Sequence, residues 1–188
     1  LSATSLLSAQ DQTTTHLAEA KSTYNSGELE ATRFALQQSL NELNLLIGQR
    51  ILDELPEQLG TATALSDSDA YNGSVVGYTG VYIDRTYQSE NKEQTIQLNL
   101  IHDSPLMSGL TTFLANPLIN ALSGRKMVKI DGYKTALEES EGTPTEFSLY
   151  VPFGKSLLTM SFEGFESENE VLALAKLVPV GKIVALAE

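Results

Sequence analysis

The chain has 188 residues, 24 acidic against 12 basic side chains, a net charge of −12, 41% hydrophobic residues, and neither cysteine nor tryptophan. That length makes about one domain around one core, and a pI near 4.5 without any cluster of four basic residues argues against nucleic acid or an anionic bilayer as the main partner, since both demand a cationic face. The missing cysteines remove disulfides, thiolate nucleophiles and most structural zinc and iron–sulfur sites, and no run of about 18 apolar residues marks a transmembrane helix.

The opening tract, residues 1–10, is small and weakly apolar; it reads as the tail of an export signal or, equally, as the edge of a cut chain. A first helix is expected from about Thr14 to Tyr24, started by Asp11 or a threonine cap and stopped by Asn25-Ser26-Gly27. A second is expected from near Glu28 to the exit at Pro56. Its apolar residues Leu29, Leu36, Leu40, Leu43, Ile47 and Ile51 follow one another in steps of 7, 4, 3, 4 and 4, which keeps them in one stripe. Glu30, Gln37, Asn41 and Asn44 occupy the opposite face, and Glu28 and Glu30 suit the positive end of the helix dipole. Residues 11–57 thus form a helical hairpin.

Ala20, Tyr24, Gly27, Leu29, Ala31 and Ala35 resemble the helix-turn-helix of a tetratricopeptide repeat. Thr32 stands where that pattern has its small residue, and no second copy follows at a period of about 34 residues. Because a solenoid needs about three repeats to bury its faces, a single hairpin must dock on the rest of its own domain or self-associate.

From Gly60 to the end, residues 60–188, strand patterns dominate. Residues 61–73 read as loop or a weak first strand. Val75 to Gln88 reads as a long bent strand or two pieces broken at Gly77 or Gly80. Thr95 to His102 alternates, with Ile96, Leu98 and Leu100 on one side and Gln97, Asn99 and Ile101 on the other, and the loop at Ser89 to Glu93 makes the pair a hairpin. Asp103-Ser104-Pro105 is a helix start; Leu106, Leu110, Phe113 and Leu114 recur at helical spacing, and after Asn116-Pro117 a second short helix spans Leu118 to Leu122. Strands follow at Lys126 to Asp131, Tyr133 to Glu138, Glu146 to Pro152 and Leu157 to Phe162, an antiparallel meander. Ser167-Glu168-Asn169-Glu170 reads as a capping box for a final helix, which Pro179 breaks before a last turn of helix at Gly181 to Ala187.

This order predicts an α+β fold: an N-terminal helical hairpin followed by an antiparallel sheet with helices packed on it. The hairpin from Tyr82 to His102, the strand Val128-Lys129-Ile130-Asp131-Gly132-Tyr133 entering a bend, the penultimate strand from Leu157 to Gly164 and the helix from Ser167 resemble the PsbP-like fold group. The resemblance covers about two thirds of the chain and implies a sandwich of sheet and helices. It also implies an accessory or binding subunit of the kind often exported, and in bacteria often lipid-anchored, so a periplasmic or otherwise extracytoplasmic location is expected, with a lipid anchor in the full-length precursor as its variant.

The chemistry-bearing residues are few. With only His16 and His102, a three-histidine metal centre is excluded. His102-Asp103-Ser104 has the residue types of a hydrolytic triad, but neighbours in sequence project in different directions and do not form a nucleophile–base–orienter chain. Gly154-Lys155-Ser156 lacks the glycine five places earlier that a phosphate loop needs, Leu149 standing there, and reads as a hairpin turn. The loop Asp67 to Gly73 lacks the ligand order of a calcium loop. Glutamates at 138, 139, 141, 163, 166, 168 and 170 read as solvated turns. No metal site, cofactor or catalytic set is read from the sequence.

The least ordinary stretch is Pro105 to Gly124, twenty residues without a charge. Leu106, Met107, Leu110, Phe113, Leu114 and Leu118, with Ile119 and Leu122, offer more apolar surface than one helix face on a sheet consumes. Either the segment is buried on more than one side, or part of it forms a patch or pocket. The leading expectation is a non-catalytic module that binds a protein partner or self-associates through the hairpin and this segment. The alternative is a carrier or sensor of an apolar small molecule held between residues 105–122 and the sheet, and a hydrolase using His102 comes third.

Overall fold

A computed structural model describes residues 3–75, 78–102, 125–140, 142–143 and 145–188. Two antiparallel helices come first, α1 (Ala3–Asn25) and α2 (Leu29–Glu54). The turn between them is made by Gly27 at φ +77°, a left-handed position that ends a helix with little strain only for glycine. The first helix begins well before the expected Thr14, so that Asp11 lies within its span, and residues 3–10 contain neither glycine nor proline to stop it.

Among the described residues nine strands then build one antiparallel sheet: β1 (Gln58–Leu59), β2 (Ala62–Ala64), β3 (Ala70–Val75), β4 (Tyr78–Ser89), β5 (Thr95–His102), β6 (Lys126–Ile130), β7 (Tyr133–Glu139), β8 (Glu146–Phe153) and β9 (Ser156–Glu163). A single turn of 3-10 helix at Ser66–Ser68 joins β2 to β3. Two helices close the chain, α3 (Glu168–Ala175) and α4 (Val180–Ala187). The spatial order is β1-β2-β4-β5-β9-β8-β7-β6. Along its outer edge the twelve-residue β4 takes two partners in turn: β3 from Tyr78 to Asp84 and β2 from Tyr87 to Ser89. Of the two expected break points, Gly80 lies within β4, and Gly77 lies outside the described residues.

The meander β6–β9 and its turns follow the sequence closely. Asp131 (φ +49°) and Gly132 (φ +85°) form the two-residue β6–β7 turn, whose twist suits paired strands. Pro152 lies beyond the last β7–β8 pair, Ala136 with Tyr150, where a missing N–H interrupts no ladder bond on that side. Ser167 is the N-cap residue of α3 but makes no side-chain capping bond, so the predicted capping box is not formed.

Strand alternation gives the sheet an apolar face. Val81, Ile83 and Tyr87 of β4, Ile96, Leu98 and Leu100 of β5, Leu158, Met160 and Phe162 of β9, and Phe147, Leu149 and Val151 of β8 are all buried there. They meet Ile51, Leu52 and Leu55 from the end of α2, Val171 and Ala175 of α3, and Val180, Ile183 and Val184 of α4 in one core. Phe165 closes it edge-on against Phe162, ring centroids 5.5 Å apart, a favoured aromatic geometry. The opposite face is polar, with Asp84, Gln97, Asn99, Ser148 and Ser161 on it. The chain is thus an α+β protein with its hairpin first and its helices packed on an antiparallel sheet. Among the described residues no helix is long and apolar enough to cross a membrane.

Candidate interaction surface

The hairpin is held together by small side chains. Ala20 of α1 and Thr32, Ala35 and Ser39 of α2 are buried between the helices. Thr23 Oγ1 and Thr32 Oγ1 lie 3.0 Å apart, and Ser39 Oγ donates to the Thr13 carbonyl at 3.4 Å. Interaxial distance is set by the side chains at the contact, so this seam draws α1 and α2 together without using Leu29, Leu36, Leu40 or Leu43.

Further along, α2 docks on the sheet through its polar and glycine positions. Asn44 Nδ2 donates to the Gly73 carbonyl at 3.2 Å, and a Cβ at Gly73 would lie 2.3 Å from the Asn41 carbonyl oxygen. Gly48 comes so close to β3 that a Cβ there would sit 3.2 Å from Tyr71 Cβ. The end of α2 is fixed by Arg85, an inward-pointing β4 residue whose guanidinium pairs with Asp69 and donates to the carbonyls of Leu52 and Leu55 at 3.0 and 3.4 Å. These contacts use up the faces of α2 toward α1 and toward the sheet.

What remains uncovered includes the predicted stripe and, on another face of α2, Phe34 at 61% exposure. Ile51 is in the core and Ile47 packs against it, but Leu29, Leu36, Leu40 and Leu43 are between 41% and 66% exposed. This inverts the simplest expectation for an amphipathic helix: the Asn41/Asn44 side faces protein, and the leucines face solvent. The periodicity was real, but it does not say what lies opposite. On α1, Leu17 and Tyr24 are also exposed, at 50% and 66%. At about 100° per residue, the leucines lie about 80° round α2 from its α1-facing line, and Leu17 and Tyr24 about 50° round α1 in the same sense. In antiparallel helices equal-sense rotations lead to the same side, so the six side chains form one strip along one side of the hairpin.

The other expected site residues fall elsewhere. Leu106, Met107, Leu110, Phe113, Leu114 and Leu118 lie outside the described residues, as does any pocket between residues 105–122 and the sheet. His102, at the end of β5, has Nδ1 2.7 Å from Ser156 Oγ across the β5–β9 pair, a partnership 54 residues apart that local sequence does not show. A nucleophilic serine must reach its substrate, and Ser156 is 1% exposed. The Gly154-Lys155 turn joins β8 to β9 as expected.

Several carboxylates are engaged. Glu138 pairs with Arg125 at 2.7 Å, Glu168 with Lys126, and Glu54 with Lys182 at 2.8 Å; Asp131 accepts a 2.7 Å bond from the Gly181 N–H at the start of α4. On the polar sheet face the Tyr82 hydroxyl donates to Asn99 Oδ1 at 3.1 Å, and Gln97 Nε2 to Asp84 Oδ2 at 2.9 Å. Burial first, then the charge of Asp84, raises the Tyr82 pKa above its ordinary value. An open depression of about 960 Å³ lies beside the β4–β5 turn, lined by polar groups including Thr61, Asn91, Glu93 and Glu166. Among the described residues no group of three or more His, Asp or Glu side chains is arranged to hold a metal ion.

The class this defines is an α+β domain whose projecting hairpin bears an uncovered leucine strip. Compared with known proteins, the chain matches no family model, no curated protein and no solved structure.

Proposed function

We propose that this protein is a non-catalytic assembly module acting through protein–protein contact, with the hairpin strip as its principal surface. The observation that carries this is the exposure of Leu17, Tyr24, Leu29, Leu36, Leu40 and Leu43 along one side of a hairpin whose α1–α2 seam and sheet contact use other positions. Their fractional exposures amount to about 600 Å² of mostly apolar surface, at the upper end of what a monomer leaves uncovered without a use for it. The near-complete burial of Ser156 beside His102 supports the absence of hydrolytic chemistry.

The charge-free residues Leu106, Met107, Leu110, Phe113, Leu114 and Leu118 belong to this proposal as a second contact region. A PsbP-like sheet domain and an extracytoplasmic location complete it, supported by the β4–β5 hairpin, the four-strand meander and the two closing helices on the apolar face, and by a composition free of cysteine.

A photo-cross-linking amino acid at Leu40, at Leu118 or, as a control, at exposed Lys134, in the full chain expressed in its own cells, tests this reading. A discrete protein adduct from Leu40 that the control lacks is expected; no adduct from either Leu40 or Leu118 refutes it. Fractionation of the same cells checks the location.

A further inference from the structure

Resting on that reading, we propose that the occupant of the hairpin strip is a second copy of this chain, packed as an antiparallel four-helix bundle about a two-fold axis near residue 38 of α2. The spacing of the strip defines a helical partner. Leu29, Leu36 and Leu43 recur every seven residues, with Leu40 and Ile47 four after Leu36 and Leu43. These are alternate a and d positions of a heptad, the seam that receives another helix. Arg33, 70% exposed at its side chain, occupies the remaining a position, where a polar residue fixes register and partner number.

Area and charge single out a second copy. About 600 Å² on each of two chains gives about 1,200 Å², the lower bound of the range for specific interfaces. An isologous pairing uses the same patch twice and requires no second surface. Residues 12–43 hold four carboxylates and two basic side chains in a chain of net charge −12, so most of the like charge lies beyond the strip. Parallel pairing would set the two acidic sheet domains side by side; antiparallel pairing sends them to opposite ends. With the axis near residue 38, Leu36 of one copy meets Leu40 of the other, and Leu29 meets Ile47.

Sedimentation of the full chain from about 1 to 200 µM tests this. A dimer, twice the 20.4 kDa chain mass, is expected at the upper concentrations, and a monomer for L36E/L40E with an unchanged circular dichroism spectrum. Because the chain has no cysteine, single-cysteine variants give an independent readout that tolerates a loss of stability. In an oxidised equimolar mixture of L36C and L40C the mixed 36–40 disulfide should exceed either self-pair several-fold. A wild-type chain that stays monomeric to 200 µM, a dimer that survives L36E/L40E, or dominant 40–40 self-pairing overturns the proposal. A monomer whose Leu40 photo-probe still captures a different protein overturns self-pairing alone and leaves the protein-binding reading standing; a monomer with no adduct sinks both.

Discussion

Arg85 is the group on which the attachment of the hairpin to the sheet depends. It sits at an inward position of β4, between Ile83 and Tyr87, with its side chain 6% exposed and that of its partner Asp69 10% exposed. Burial disfavours its charge, but the hydrogen bonds and charge of Asp69 together outweigh that and hold its pKa above the ordinary value. The same guanidinium donates to the carbonyls of Leu52, which also accepts from the Leu55 N–H, and of Leu55 at the end of the helix. Arg85→Met strands a buried carboxylate and removes a donor from each carbonyl; Asp69→Asn leaves a buried cation uncompensated. Breaking a buried pair from one side costs about 3–5 kcal/mol. For a chain of this size that lowers the melting temperature by about 6–20 °C, at roughly 2–4 °C per kcal/mol. Urea unfolding of both single variants measures it, and hydrogen exchange across residues 46–55 should quicken in both. The double variant Arg85→Met/Asp69→Leu leaves no buried charge and should recover part of the loss. Single variants within about 1 kcal/mol of the wild type, or a double variant equal to the sum of the two, would refute the reasoning.

Two further outcomes follow from buried groups and close contacts. Burial pushes Tyr87 up to about 12 from an ordinary 10, although the charge of Arg85 pulls the other way. The folded chain therefore keeps a proton that the unfolded chain releases, so stability is level below about pH 10 and declines as pH rises toward 12. Tyr87→Phe should flatten that decline in alkaline unfolding curves. Because the buried Tyr87 hydroxyl meets no hydrogen-bonding geometry among the described residues, the same change should cost little at neutral pH, or add about 1 kcal/mol; a loss above about 1 kcal/mol counts against it. Gly164→Ala places a Cβ 1.9 Å from the Glu93 carbonyl at φ +81° and should cost more than about 3 kcal/mol. Gly27→Ala, at a similar φ but with nothing within 4 Å, should cost about 1 kcal/mol, and denaturation midpoints that rank the two the other way would contradict the geometry.

Strand positions were legible because alternation is a local signal. Ile96, Leu98 and Leu100 were assigned to one side of β5 from sequence, and all three are buried. Turn chemistry was local too, at Gly27, Asp131-Gly132 and Gly154-Lys155. Three things were not local. The order of strands, with β9 returning to pair with β5 and β3 and β2 sharing one edge of β4, depends on contacts far apart in sequence. An arginine amid Val81, Ile83 and Tyr87 signals a buried charge only once Asp69 is known to stand beside it. The start of α1 had no stop signal to locate it, because residues 3–10 are permissive for helix.

The hairpin shows most clearly where periodicity stops being informative. A stripe at 7, 4, 3 and 4 residue steps establishes that one side of a helix is apolar, but it reads identically whether the covering surface comes from the same chain or from another. The decision lies in the other faces. Ala20, Thr32, Ala35 and Ser39 are too small to make a broad apolar seam, yet they are the residues α1 and α2 share, and Asn44 and Gly73 form the contact with β3. A helix meant only to cover its own domain gains most by turning its leucines inward, since burying each contributes about 1.5–3 kcal/mol. Between residues 29 and 44 this one turns small and polar positions inward and keeps four leucines out. That arrangement forgoes stability in the isolated chain, which the proposed association through the strip would recover.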